Sequence, residues 1–194
     1  LENRTGKWST INGENKEGTE TKDIFQMGLN HGVKPNNGKY EYRVVFGNTA
    51  EEMTEYVKNN PIKVLRNDDK VQAVYNSDLK MVQAVFLKTD TLTLPTGMTI
   101  YSNKKCMLMA TENSDGSITM TVSNPANEAK DLQITVNKTL PILNSLRMVN
   151  GEGTTKIMFR LNEGVYAGSS TTYDSRTGFD ENSIMQLDKE NINK

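Results

Sequence analysis

The sequence predicts an all-β protein of β-sandwich architecture, interrupted by one short helix. Three observations carry this reading. Apolar and polar residues alternate with period two in run after run, as strands buried on one face require. Short clusters of Asn, Asp, Gly, Pro and Ser separate those runs. One segment, "NTAEEMTEYVKNNP", abandons the alternation for helical spacing.

Taken in order, strands are expected at "KDIFQMGL" (22–29) and "KYEYRVVF" (39–46), with the Gly- and Asn-rich "HGVKPNNG" between them as a turn. The helix follows. Thr49 is its N-cap and Glu52, three residues on, completes a capping box that satisfies two otherwise orphaned amide donors. Met53, Tyr56 and Val57 share one helical face, and Pro61 ends the element because proline restricts the residue before it. Beyond it come "IKVLRN", "KVQAVYN", "KMVQAVFLK", "MTIYSN", "CMLMAT", "SITMTVSN", "LQITVNK" and "TKIMFRLN", each a candidate strand. The turns between them read "NDDK", "YNSD", "LPTG", "NSDGS" and "NPANEAKD". Asp115-Gly116 is the strongest hairpin signal, since glycine tolerates the positive φ such turns need. From Tyr173 to Lys194 the chain is polar and is expected to be a partly mobile tail.

The 194 residues suffice for one large β domain or two small ones. With 35% apolar and 24% charged residues, the composition is that of a globular protein with polar loops. A formal net charge of -1 argues against a dedicated nucleic-acid binder. No apolar run approaches the ~20 residues that span a bilayer. No signal peptide opens the chain, which starts without methionine in "LENRTGKW", as though in mid-domain, so any targeting segment would lie upstream of it.

Residues able to carry chemistry are few. The only histidine, His31, is followed by Tyr40, Tyr42 and Arg43. Histidine or tyrosine is what a base removing a proton beside a carboxylate requires, and Arg43 suits neutralisation of the acid. The competing reading has more support: Tyr40 and Tyr42 alternate like packed aromatics, and His31 opens a turn. Cys106 is single, which excludes an internal disulfide, and its apolar neighbours suit a buried, inert thiol. One histidine and one cysteine give zinc no ligand set. Oxygen ligands for calcium are conceivable at Asp174, Asp180 and Glu181 in "YDSRTGFDEN", although the spacing is not that of an EF-hand. "NGEGTTK" lacks the phosphate-loop pattern, and "AGSSTTYDS" lacks a nucleophile elbow. Asn3 and Asn137 head glycosylation sequons. Small basic groups (Lys34, Lys39 and Arg43; Lys63, Arg66 and Lys70; Lys104 and Lys105) could meet an acidic polymer, and Trp8, Tyr101 and Tyr166 are candidate sugar platforms. Catalytic, cofactor-binding and metal residues are all assigned as none.

A family resemblance goes further. "ENRTGKWSTIN", "FQMGLNHGVKPNNGKYEYRVV", "TAEEMTEYV" and "IKVLRNDDKVQAVYNSDLKMVQAVF" follow in one order. Trp8 with Ile11-Asn12, His31-Gly32 with Pro35, Tyr40 and Tyr42, Val64-Leu65 with Asn67, and Ala73-Val74 carry the likeness. Together they resemble the C-terminal β region of polysaccharide lyase family 8, which includes chondroitin AC and ABC lyases, hyaluronate lyases and xanthan lyases. The resemblance implies the end of a galactose-mutarotase-like supersandwich, a short connecting helix and a smaller C-terminal β-sandwich. Residues 1–60 would supply the last supersandwich strands and the helix, and residues 61–194 the terminal sandwich with its tail.

It also implies a bacterial, secreted or periplasmic enzyme that cleaves uronic-acid-containing glycosaminoglycans by β-elimination. In that family a base takes the C5 proton, a polar or charged group neutralises the adjacent carboxylate, and the leaving oxygen is protonated. The family's Asn, His, Tyr and Arg set lies in an upstream α/α toroid, so no catalytic residue transfers to this chain, His31 included. The implied partners are the acidic polysaccharide, met through the full-length enzyme, and the upstream toroid and central β domain. No cofactor, nucleic acid or membrane span is expected. The other readings are a free-standing carbohydrate-binding sandwich and a surface adhesion domain.

Overall fold

A computed structural model describes residues 2–11, 18–128 and 130–180. The chain divides into two compact units, Leu1–Phe46 and Gly47–Lys194.

In the first unit, β1 (Glu2–Gly6) pairs antiparallel with β2 (Glu20–Ile24), from Glu2 opposite Ile24 to Gly6 opposite Glu20. Cross-strand side chains support the ladder. The Thr5 and Thr21 hydroxyls lie 2.9 Å apart, and Asn3 Nδ2 donates to Asp23 Oδ1 at 3.0 Å. Trp8–Thr10 forms a single 3-10 turn. From Phe25 to Phe46 no residue is in a strand, so the strands expected over 25–29 and 39–46 are corrected. The physical reason is that alternation specifies which face would be buried, while a strand persists only beside a neighbour that completes its ladder. Both stripes, Phe25, Met27, Leu29 and Tyr40, Tyr42, Val44, Phe46, are solvent-exposed instead.

The second unit opens with α1 (Ala50–Lys58), capped as expected. The Glu52 amide donates to Thr49 Oγ1 at 3.3 Å, and the Thr49 amide donates to Glu52 Oε2 at 2.7 Å. Met53 and Tyr56 are half-buried, whereas Val57 is exposed, so the expected three-residue face narrows to two.

Two antiparallel sheets then stack as a sandwich. The larger contains β3 (Ile62–Asn67), β4 (Val71–Asn76), β5 (Met81–Phe86), β8 (Cys106–Glu112), β9 (Ile118–Ser123), β13 (Thr171–Asp174) and β14 (Gly178–Phe179). Its seven strands run β14-β13-β9-β8-β5-β4-β3. The smaller contains β6 (Asp90–Thr93), β7 (Thr99–Ser102), β10 (Asp131–Val136), β11 (Met148–Gly151) and β12 (Thr154–Arg160), in the order β11-β12-β10-β7-β6. The Asp115-Gly116 hairpin joins β8 to β9, with Gly116 at φ 83° and its amide bonded to the Asn113 carbonyl at 3.0 Å. A bulge between Val64 and Arg66 interrupts β3.

Inward-facing residues of both sheets form one core, including Val71, Phe86, Ile100, Ile118, Ile134 and Phe159. Burial of such side chains contributes about 1.5–3 kcal/mol each before chain entropy is counted. Thr155 is the polar member that belongs there. Its hydroxyl accepts from the Leu140 amide at 2.9 Å and lies 2.7 Å from both the Lys138 carbonyl and Asn150 Oδ1.

The tail is corrected in part. Tyr173 lies at its expected start but is fully buried in β13, opposite Met120 of β9. Its ring packs with Phe159 and Phe179 at centroid separations of 6.4 and 5.1 Å. Three large rings outweigh the polar composition around them. The rest of the expected tail, 181–194, lies outside the described residues.

Candidate functional site

His31, Tyr40 and Tyr42 do come together, as a row of rings on the surface of the first unit. His31 and Tyr40 are 6.3 Å apart between centroids, tilted at 45°; Tyr40 and Tyr42 are 6.3 Å apart and nearly parallel, at 18°. The turn that brings them there is closed by short-range contacts. The Gly32 amide donates to Asn30 Oδ1 at 2.8 Å, and Gly32 adopts φ 76°, where an L side chain is strained. Gly38 packs so closely on the imidazole that a Cβ there would lie 3.2 Å from His31 Nδ1. Tyr40 and Tyr42 are 60% and 66% exposed, so solvent surrounds the rings where a proton-transfer site would enclose them. In the same unit Trp8, a candidate sugar platform, is 59% exposed.

Several other sequence candidates are engaged in contacts of the fold. Arg66 leaves β3 and clasps the second sheet. Its guanidinium donates to Asp68 Oδ2 at 2.7 Å, to Asp90 Oδ2 at 3.1 Å and to the Thr91 carbonyl at 3.0 Å. The Val71 amide first, then Arg66 and the Lys70 amide, hold the Asp68 carboxyl well below the usual carboxylate range. Asp90 is lowered by the Thr91 amide and by Arg66. Lys105 pairs with Glu128 at 3.1 Å.

Asp174, offered for calcium, grips Arg176 through a forked pair at 2.9 and 2.6 Å and accepts from Thr119 Oγ1 at 2.9 Å. Arg176 above all holds its carboxyl well below the ordinary range. A cation there would have to displace a guanidinium. Asp180 lines a cleft described below, and Glu181 lies outside the described residues. No group of three His, Cys, Asp or Glu side chains suited to a metal occurs among the described residues.

Burial pushes the Cys106 thiol up to about 11, with Ser102 Oγ at 3.4 Å, so it stays protonated and poorly nucleophilic at neutral pH. Asn137 uses its amide structurally, accepting from the Thr99 amide at 2.7 Å and donating to the Gly97 carbonyl at 3.1 Å. Tyr101 is half-buried on the outer face of the smaller sheet between Thr91 and Thr135, and Tyr166 is half-buried in the Gly164–Tyr166 turn.

One concavity among the described residues was not visible in the sequence. A cleft of about 530 Å³ opens at the end of the sandwich where β10 begins and β12 ends. Arg147, Arg160 and Lys130 face into it with Asp131, Glu163 and Asp180, and Phe179 lies in its wall. Lys130 pairs with Glu163 at 2.7 Å, and Arg147 Cζ sits 4.8 Å from the Phe179 ring centroid. These residues come from separate segments, so no local motif could have signalled them. Only the outward phase of Arg160 in "TKIMFRLN" was legible.

Comparison with known proteins gives this geometry a setting. Residues 1–57 match the model for the super-sandwich domain of polysaccharide lyase family 8, and residues 63–138 match that for the family's C-terminal beta-sandwich domain. Chondroitinase-AC of Pedobacter heparinus is 36% identical over 109 residues, 56% of this chain and 15% of that protein. Chondroitin sulfate ABC exolyase of Bacteroides thetaiotaomicron is 28% identical over 109 residues, 56% of this chain and 11% of that protein. Among solved structures, a chondroitinase AC lyase studied as enzyme-oligosaccharide complexes superposes with a TM-score of 0.69 at 27% identity, over 88% of this chain and 23% of that one. A Paenibacillus xanthan lyase shares the fold, with a TM-score of 0.72 at 24% identity over 89% of this chain and 17% of that one. The chain thus spans less than a quarter of the relatives it matches.

Proposed function

This chain belongs to polysaccharide lyase family 8, and from that premise we propose that it forms the noncatalytic C-terminal part of an enzyme that depolymerises uronic-acid-containing glycosaminoglycans. The observation that carries the proposal is the succession of two domain matches, super-sandwich then terminal sandwich, in one continuous chain. Chondroitin sulfate is the favoured substrate class, because a chondroitinase-AC matches at 36% identity over 109 residues, against 28% for a hyaluronate lyase over 138. Dermatan sulfate and hyaluronan remain within the same chemistry.

The elimination itself falls to the upstream toroid that the family resemblance implies. The unpaired stripes at 25–29 and 40–46 are then edges that the remainder of the supersandwich covers. Residues 1–60 act with that upstream β domain and residues 61–194 as the terminal sandwich. A secreted or periplasmic location follows from a polymeric substrate that does not cross a membrane. The free-standing binding-module reading is less well supported, because residues 1–57 match a lyase super-sandwich domain and the chain covers 15% of the chondroitinase-AC it resembles. Sequencing the gene upstream tests the proposal: a helical region bearing Asn, His, Tyr and Arg is expected, and an unrelated or absent upstream domain would contradict it.

A further inference from the structure

The sequence contains three Asn-Gly pairs, at 12–13, 37–38 and 150–151. We propose that Asn37 is a site of spontaneous covalent modification, deamidating in the folded protein to aspartate and isoaspartate. The inference is independent of the lyase reading and rests on the turn that follows His31. An Asn-Gly pair is the dipeptide most open to this chemistry, because glycine has no Cβ to hinder its own amide nitrogen. Asn12-Gly13 lies outside the described residues, so two identical pairs can be compared. Asn37 and Asn150 are both exposed, as are their glycines. Exposure therefore does not decide between them.

Attachment does. The Asn150 carboxamide is held at both ends, with Nδ2 donating to the Leu140 carbonyl at 3.0 Å and Oδ1 lying 2.7 Å from the buried Thr155 hydroxyl. Its backbone lies in β11, with Asn150 opposite Thr155 and Gly151 opposite Thr154 of β12. Swinging that carboxamide onto the Gly151 nitrogen would break both contacts and distort the ladder. Asn37 has neither restraint. Its carboxamide makes no hydrogen bond among the described residues, and no residue from Phe25 to Phe46 is in a strand. Asn37 also stands at φ 54°, in the left-handed region that costs an L residue energy, so the backbone does not oppose leaving that conformation.

The reaction needs only water. The Gly38 amide nitrogen attacks the Asn37 carboxamide carbon, and the new C–N bond closes a succinimide ring. The side-chain nitrogen departs as ammonia, taking the proton lost from Gly38. Water then opens either carbonyl of the ring, giving aspartate or isoaspartate. Gly38 is the residue packed on the imidazole, its Cβ position lying 3.2 Å from His31 Nδ1. The isoaspartyl product inserts an extra carbon into the main chain there, between His31 and Tyr40, whose rings stand 6.3 Å apart. Modification thus adds a negative charge to the turn and shifts Gly38 against the histidine it packs on.

The test ages the full-length protein in mildly alkaline buffer, with a parallel sample in urea, and maps tryptic peptides by mass spectrometry. Residues 23–39 and 148–156 form the peptides that carry the two pairs. In the folded protein the acid form of 23–39 is expected to build up at least about tenfold faster than that of 148–156, because two contacts restrain one carboxamide and none the other. Fragmentation should place the change at Asn37, and resistance to an aspartate-directed protease marks the isoaspartyl part. In urea the two peptides should convert at rates within about threefold of each other, since the fold no longer separates them. Gly38→Ala should slow conversion in 23–39 and leave 148–156 unchanged. Equal rates in the folded protein, faster conversion at Asn150, no conversion at Asn37, or unslowed conversion in Gly38→Ala overturns the site. A difference that persists unchanged in urea overturns it too, because it would then belong to the flanking sequence and not to the turn.

Discussion

At the residue scale, His31 shows how a chemically suggestive side chain is settled by its surroundings. The imidazole is wedged against Gly38 and begins a row of exposed rings. We propose that it holds the turn. His31→Ala in the full-length enzyme is expected to lower the thermal midpoint, at a cost of about 1 kcal/mol, while kcat changes less than about twofold. Paired melting and turnover measurements check this; a stable variant with lost turnover would reverse the assignment. Tyr173 makes a different point. Its hydroxyl is buried without a hydrogen-bond partner among the described residues, and burial pushes the phenol up to about 12. Tyr173→Phe keeps the ring packing and deletes the stranded oxygen, so denaturant unfolding should show unchanged or higher stability, by up to about 1 kcal/mol. The sequence disclosed neither the burial of Tyr173 nor the saturation of Asp174 by Arg176. Tyr173 depends on Met120 of β9, more than fifty positions away, whereas Arg176 lies two positions from Asp174 and only the Thr119 hydroxyl reaches it from afar.

At the element scale, local chemistry was legible wherever it is self-contained. The capping box at Thr49 and Glu52 appears as read, because both hydrogen bonds close within one turn. Thr49→Ala should cost about 1 kcal/mol, measured by chemical denaturation of the chain. Strands of six or seven alternating residues were likewise readable, from β3 to β12. Of the four-residue strands, β7 was legible because alternation continues around it in "MTIYSN", whereas β6, β11, β13 and the two-residue β14 lack such flanks and take their identity from the strand beside them. The inter-sheet clasp of Arg66 with Asp68 and Asp90 carries a pH signature. Both carboxyls titrate below their usual range when folded. The unfolded chain therefore binds more protons on acidification, and the clasp's stability is complete above the unfolded carboxylate value of about 4 and lost as pH falls towards the folded ones. Thermal midpoints should drop below about pH 4, and Asp68→Asn should flatten that slope. An unchanged acid slope in the variant would remove the clasp from the account.

At the scale of the whole molecule, the two units illustrate opposite limits of sequence reading. In Gly47–Lys194, alternation, turns and a common core agree, and the sandwich appears as expected. In Leu1–Phe46 the same alternation leaves Phe25, at 75% exposure, and Phe46, at 88%, facing solvent. Pattern names a buried face; it does not supply the polypeptide that buries it. The family match supplies a reason, since the super-sandwich to which these residues correspond belongs to chains several times longer. The cleft at Arg160 escaped the sequence for the converse reason: each of its walls is ordinary until the fold assembles them. The central claim, a noncatalytic end of a glycosaminoglycan lyase, is tested most directly by absorbance at the unsaturated-uronate band during incubation with chondroitin sulfate. The account predicts a steady rise with the full-length enzyme and none with the 194-residue chain. A robust rise with the chain alone would contradict it and return His31, Tyr40 and Arg43 to the active site.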